Sequence, residues 1–439
     1  MQKQIPSVLE TTKQGIKINS KEWIETSIWT KSMLRALDNG VKGDIWFSLI
    51  DKVYSLKTLK IAWKQVSSNK GSAGIDKMSI KHFVANEDKY LNELHISLKN
   101  KTYNPKPVKR VYIPKAGGKK RPLGIPVVKD RIVQTAIKLV IEPIFENEFL
   151  DVSYGFRPNR GCKDALRRVD HLLKADYTWV VDADLQSYFD TIPHDKLMKH
   201  LKMKISDQTL LDLIQKYLKQ DIVDNLKQWT PIAGTPQGAV LSPLLANIYL
   251  HPLDVMLTEK GYKVVRYADD FVILCKSEKE AKKAFQFIKE WTQQANLSLH
   301  PDKTHIGNSL VKGEGFEFLG YAFESKKRYV RKKSLKSFRD KVKEKTKRTR
   351  SGSLNEIIAD LNPILRGWFE YFKHAFNPTF KGNDGFVRRR LRAILLKRNK
   401  KRRSFGRSIN AHRQYPNSYF ARLGLFTSYE AWVVASESR

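Results

Sequence analysis

Cysteine is nearly absent: the 439 residues hold two, Cys162 and Cys275, and neither lies in a CxxC or Cys/His cluster. That excludes a disulfide framework and a zinc or cysteine-rich module, and it fits a reducing compartment, the bacterial cytoplasm. No run of about 20 apolar residues occurs, so no membrane span is expected. The first residues lack the basic, apolar and small-residue order of a signal peptide. A GxxxxGK[ST] loop is missing as well, which argues against a P-loop ATPase. Acidic residues are scarce, 45 Asp and Glu against 81 Lys and Arg, for a net charge of +36. An excess of that size points to a polyanionic partner, nucleic acid rather than a membrane.

The charge is unevenly spread, because residues 331–439 hold 28 Lys or Arg against 8 Asp or Glu. The length suggests more than one lobe, and the pattern divides the chain into three. Residues 1–105 read as mostly helical, interrupted at Gly71 to Asp76. Residues 106–330 alternate short β-branched runs with helical stretches, an α+β signature. Residues 331–439 read as basic and helical. There Ser353-Leu354-Asn355-Glu356 has the form of a capping box, and Asn362-Pro363 that of a second helix start, a cap followed by proline at the first helical position. Beyond it Leu361, Ile364, Leu365, Trp368 and Phe372 share one helical face and are core material.

The chemistry is carried by carboxylates placed where strand-like runs end. Val264 to Leu274 consists of two β-prone runs around a short turn bearing Asp269 and Asp270, a hairpin with acids at its tip. In Thr178 to Asp190 a strand runs into a turn bearing Asp184. Strand side chains alternate, so Asp182 and Asp184 share a face, and periodicity does not choose between them. Gathering carboxylates is costly unless divalent cations neutralise them, and Mg²⁺ prefers oxygen ligands. Such a set suits in-line phosphoryl transfer with two metal ions about 4 Å apart.

Tyr267-Ala268-Asp269-Asp270 resembles the YxDD box of reverse transcriptases. Seven further segments, in order, are similar to the form found in group II intron-encoded proteins: GSAGID at Gly71, IPK…RPLGIP at Ile113, YGFRPNRG at Tyr154, DLQSYFD at Asp184, GTPQGAVLSPLLANIYL at Gly234, LSLHPDKT at Leu297 and FLGY at Phe318. LRGWFEYF at Leu365 resembles the maturase-specific region of the same family.

The resemblance implies a right-hand polymerase: an N-terminal extension and the start of the fingers (1–105), fingers and an antiparallel palm sheet bearing the acids (106–330), and a basic helical thumb with the maturase region (331–439). Residues 410–439 either finish the thumb or form a DNA-binding tail. It implies an RNA-directed DNA polymerase with two Mg²⁺ ions on Asp184, Asp269 and Asp270, which leaves Asp182 a structural role. Lys115 and Arg121 then meet the incoming triphosphate, Phe189 packs beneath the deoxyribose, Gln237 lies along the new base pair between Gly234 and Gly238, and Lys303 protonates the departing pyrophosphate. The implied partners are an RNA template, a DNA primer, dNTPs and the parent group II intron RNA, bound as a maturase. The run Lys397, Arg398, Lys400, Lys401, Arg402 and Arg403 is the expected RNA grip. No HNH-like pattern precedes Arg439, so second-strand cleavage is not expected. Two alternatives stand beside this reading. One is a free-standing relative adapted to repair or defence, which gene context would reveal. The other is a non-catalytic RNA-binding splicing factor, which primer extension would exclude.

Overall fold

A computed structural model describes residues 21–114, 120–376, 378–399 and 406–437. Eleven strands are present among them: β1 (Val108–Pro114), β2 (Lys120–Ile125), β3 (Trp179–Asp184), β4 (Ile222–Asp224), β5 (Lys227–Trp229), β6 (Lys263–Tyr267), β7 (Asp270–Cys275), β8 (His305–Asn308), β9 (Phe316–Phe318), β10 (Tyr321–Glu324) and β11 (Lys327–Val330). They form sheets of order β2-β1-β4-β5, β6-β7-β3-β8 and β11-β10-β9. Pairing is antiparallel in the hairpins, and β1 runs parallel to β4. The mixed helix and sheet composition is the α+β class expected.

The chain separates into two compact units, one of Met1–Leu172, Ala183–Leu274 and Lys279–His305, the other of Leu173–Asp182, Cys275–Glu278 and Ile306–Arg439. In the first, helices dominate the described residues from Lys21 to Lys99, as the N-terminal composition suggests. The helix Val128–Glu146 is buried along most of its length, with Ile132, Val133, Ile137 and Val140 fully enclosed. A helix apolar on every side belongs in a core. The helix Ser242–Glu259 is similar, and Leu250 and Leu253 lie in its buried face. The two helices pack on each other, and Ser242–Glu259 also packs on β6 of the acid-bearing hairpin.

In the second unit, the helices Lys332–Lys345, Leu354–Phe372 and Pro378–Arg398 pack around Val342, Ile357, Leu361, Val387 and Ile394. Ser353 caps the middle helix: its hydroxyl accepts from the Glu356 amide at 3.2 Å, while the Glu356 carboxylate accepts from the Ser353 amide at 3.1 Å. Leu361, Leu365 and Phe372 are buried and Ile364 and Trp368 partly so, which is the expected face. The second helix start expected at Asn362-Pro363 does not exist, since Pro363 lies inside the one helix Leu354–Phe372. The Asn362 side chain is engaged elsewhere: it donates to the Gly424 carbonyl and accepts from the Phe426 amide, both at 2.8 Å. Tertiary packing of the apolar stripe outweighs the one backbone hydrogen bond that proline forfeits.

Candidate active site

The hairpin comes first, because its turn is strained. Tyr267 pairs with Asp270 across β6 and β7, leaving Ala268 and Asp269 as a two-residue connection. Ala268 has φ +60°, a conformation that hairpins of this kind usually assign to glycine. Arg266, fully buried, supports it from below by donating to the Ala268 carbonyl at 3.0 Å. The same guanidinium grips Asp254 through two bonds of 2.8 and 2.5 Å and reaches the Asn247 side-chain oxygen at 2.9 Å. Asn247 and Asp254 are two turns apart on the helix Ser242–Glu259 and so present to the hairpin from one face. Burial alone would depress the Arg266 pKa, but the Asp254 charge overcomes this and holds it above its ordinary value.

The segment Tyr154 to Gly161 closes the other side. Asn247 donates to the Gly155 carbonyl at 2.8 Å. The Arg266 amide donates to the Val152 carbonyl at 2.8 Å, and the Tyr154 amide donates to the Arg266 carbonyl at 2.9 Å. A Cβ at Gly155 would stand 2.4 Å from the Ala268 nitrogen, so the two backbones meet only because that side chain is missing.

Asp184 ends β3 and is fixed by the segment that follows the hairpin. The His300 amide donates to the Asp184 carbonyl at 2.8 Å, and the Asp184 amide donates to the Thr304 hydroxyl at 3.4 Å. This brings the Lys303 ammonium to 2.5 Å from the Asp184 carboxylate. Burial pushes the Asp269 carboxyl up, the nearby Asp184 charge pushes it further, and Arg121 and Lys303 oppose the rise. Asp184, Asp269, Lys303 and Arg121 therefore share one electrostatic site. Asp270 begins β7 and is half-buried. Asp182, in the second unit, is buried and accepts from the Glu317 amide at 3.4 Å. Among the described residues no three His, Cys, Asp or Glu side chains are grouped closely enough to enclose a metal ion. The donors that do influence each other are carboxylate oxygens, a chemistry that suits a hard cation.

Beside the acids, Arg121 Nε donates to Gln237 Oε1 at 2.8 Å, and Gln237 Nε2 donates to Asp190 Oδ2 at 3.2 Å. The Gly124 amide donates to the Gln237 carbonyl at 2.6 Å, which ties this loop to β2. Gly234, at φ +89°, packs its backbone on Phe189 and Asp190 so closely that a Cβ would meet their atoms at 2.8 Å. The half-buried Phe189 ring lies edge-on to Phe156, with centroids 6.3 Å apart, and Phe156 neighbours Tyr267 at 6.4 Å. Phe189, Asp190, Gln237 and Arg110 line a cavity of about 260 Å³. Lys115 lies outside the described residues.

Of the basic run, Lys400, Lys401, Arg402 and Arg403 also lie outside the described residues. Lys397 and Arg398 end the helix Pro378–Arg398, and Arg398 donates to the Gly352 carbonyl at 2.6 Å. On the same helix Arg389 and Arg390 are both depressed by partial burial and then by neighbouring arginines, Arg407 and Arg339 for the first, Arg389 and Arg348 for the second.

Sequence reasoning missed Arg266, Asp254, Asn247, Phe156 and Asp190. A signal existed for some of them: Arg266 directly precedes the YADD box, Phe156 lies in YGFRPNRG, and Asp190 closes DLQSYFD.

Comparison with known proteins places these residues in context. Residues 113–323 match the family described as reverse transcriptase (RNA-dependent DNA polymerase), and residues 335–414 match the group II intron, maturase-specific domain. The chain is 33% identical over 377 residues to the group II intron-encoded protein LtrA of Lactococcus lactis subsp. cremoris, covering 70% of this chain and 60% of that protein. It is 35% identical over 303 residues to protein YkfC of Escherichia coli (strain K12), covering 60% of this chain and 76% of that one. An uncharacterized 91 kDa protein in the cob intron of Schizosaccharomyces pombe is 45% identical over 158 residues, 36% of this chain and 20% of that protein. The chain thus spans about 60% of the length of the Lactococcus protein.

Proposed function

This chain belongs to the family of group II intron-encoded reverse transcriptases and maturases, and from that premise we propose that it is an RNA-directed DNA polymerase that extends a DNA primer on an RNA template with dNTPs. The observation that carries the reading is the gathering of Asp184 and Asp269 beside Lys303 and Arg121: the Asp184 charge adds to the burial that raises the Asp269 carboxyl, and the Lys303 ammonium stands 2.5 Å from the Asp184 carboxylate. When bound, two Mg²⁺ ions on Asp184, Asp269 and Asp270 supply the Lewis acidity that activates the primer 3′-hydroxyl and steadies the leaving pyrophosphate. The protein does the rest. Arg121, with Lys115, holds the triphosphate by charge-assisted bonds. Phe189 lies beneath the deoxyribose, where its ring excludes a 2′-hydroxyl, and Gln237 lines the base pair being formed. Lys303 donates a proton to the departing pyrophosphate oxygen.

We assign residues 1–105 to the N-terminal extension and start of the fingers, 106–330 to fingers and palm, and 331–439 to the thumb and maturase region. A second activity follows from the match at residues 335–414: binding of the parent intron RNA to stabilise its spliceable fold, with the RNA performing the splicing. The basic run from Lys397 to Arg403 serves that grip. Among the described residues no helix is long and apolar enough to cross a membrane. The likeness to the Lactococcus protein supports placing the chain in the bacterial cytoplasm. The test is Asp269→Asn in primer extension on poly(rA) with Mg²⁺. Synthesis should fall by orders of magnitude while RNA affinity holds, and normal extension rates would remove the assignment of the acids.

A further inference from the structure

The bonds around Gln237 have a polarity that only one arrangement satisfies. A guanidinium donates and never accepts, and a carboxylate accepts and never donates. With Arg121 on one side at 2.8 Å and Asp190 on the other at 3.2 Å, the amide must turn its oxygen to Arg121 and its NH₂ to Asp190. The backbones at both ends are already fixed: the Thr235 amide donates to the Phe189 carbonyl at 2.7 Å, the Gly234 amide to the Ile192 carbonyl at 2.8 Å, and the Asp190 amide to the Ser187 carbonyl at 2.8 Å. The side chains border open space: Asp190, exposed, and Gln237, half-buried, both line the 260 Å³ cavity. Burial raises the Asp190 carboxyl above its ordinary value, and the charge of Arg110, which lines the same cavity, opposes the rise together with the Gln237 bond and the Arg121 charge.

We propose that Asp190 is a positioning residue for the incoming nucleotide: it sets the Gln237 amide, and through it Arg121, in the one orientation that serves the nucleotide site. The proposal rests on the reading of Gln237 and Arg121 as nucleotide-binding residues. Asp190 itself touches no reacting atom. With Asp190 ionised, a reversed amide would set its oxygen against the carboxylate and its NH₂ against the guanidinium, so the reversed form is excluded at both ends. Asn at this position accepts or donates with equal ease and so loses that exclusion.

The experiment is a charge swap read by steady-state primer extension on an RNA template. Asp190→Asn should raise KM for dNTP on the order of tenfold, the effect of weakening a hydrogen bond to a charged group, with kcat changed by less than about threefold. Gln237→Glu alone should be worse, since two carboxylates then face each other. Combining the two restores the polarity, because the Asn amide donates to the Glu carboxylate, which accepts from Arg121. KM in the double variant should return to within about threefold of the parent. An unchanged KM in Asp190→Asn, or a double variant no better than the worse single, overturns the proposal. Gln237→Ala separates it from its premise: an unchanged KM there removes the nucleotide-site reading and the proposal with it, whereas a raised KM beside a silent Asp190→Asn overturns the proposal alone. RNA affinity and circular dichroism report folding in each variant. Misfolding of both Asp190 variants would make Asp190 a structural residue and overturn the proposal as well.

Discussion

Arg266→Met tests how the hairpin is held. The substitution keeps the bulk of the side chain and removes every donor it offers. Asp254, 1% exposed, is then left as a buried carboxylate without its cation, and the Asn247 oxygen and the Ala268 carbonyl are each deprived of a donor. Breaking a buried ion pair from one side costs about 3–5 kcal/mol, and the stranded acceptors keep the value in the upper part of that range. For a unit of this size the melting temperature should fall by roughly 10 °C, at about 2–4 °C per kcal/mol. Urea and thermal denaturation of the full chain measure this. The informative control is the double variant Arg266→Met/Asp254→Leu. Replacing both members of a buried pair by apolar groups is often neutral or better, so most of the stability should return. DNA synthesis should not, because Ala268 still lacks the donor that holds its left-handed turn and with it the direction of Asp269. A loss below about 1 kcal/mol in the single variant, or recovery of full synthesis in the double, would refute this account of the hairpin.

Three further outcomes are expected. Phe189→Val should open space at the 2′ position and lower discrimination between dNTP and rNTP at least tenfold, about 1.4 kcal/mol of transition-state preference; an unchanged ratio of catalytic efficiencies returns Phe189 to a packing role. Neutralising Lys397, Arg398, Lys400, Lys401, Arg402 and Arg403 together should weaken binding to all RNAs, and the slope of log K against log salt should flatten by roughly 0.7–0.9 for each phosphate that is no longer neutralised. Filter binding across a salt series checks this, and an unchanged slope moves the grip to Lys341 to Arg350 and the fingers. Asp130, buried and bonded by Tyr103, Tyr217, Gln220 and the Lys106 amide, is pushed up to about 6 by that burial despite those donors. Its folded pKa exceeds the unfolded one, so its favourable contribution is complete below about pH 4 and is lost as pH rises through about 6. Asp130→Asn should therefore gain on the parent across that window by on the order of 3 kcal/mol, read by urea denaturation at several pH values; a constant difference would contradict the burial argument.

The parts of the fold legible in the sequence were those that local patterns determine. Alternating β-branched runs around Asp269-Asp270 mark the hairpin, and Ser353 with Glu356 marks a helix start, because each rests on neighbours in the chain. Asn362-Pro363 carries the same local signal as a true start, yet the partner that decides its role, the turn at Gly424 to Phe426, lies some 60 residues away. The pairing of Arg266 with Asp254 and Asn247 was illegible for the same reason. Asn247 and Asp254 are isolated polar letters in a largely apolar helix, and only the folded chain shows that they face the same buried arginine. Family resemblance narrowed Asp182 and Asp184 to one candidate, a choice that strand periodicity left open. The basic run reads simply as charge, and charge says what class of molecule is met but not which cations meet it.

The close approach at Gly155 carries a consequence for anyone who would stabilise this protein. Replacing glycine by alanine usually helps wherever the backbone tolerates it, because the unfolded chain loses freedom. Gly155 lacks a left-handed φ, and by conformation alone it would qualify for such an exchange. The added methyl would stand 2.4 Å from the Ala268 nitrogen, however, and the hairpin would have to give way. A displacement of about 1 Å at a reacting centre can cost a hundredfold in rate, so a gain in heat resistance would be taken from the aim of the acids. Position 155 works as a spacer gauge between segments more than a hundred residues apart, and consensus or heat-driven design should leave it untouched.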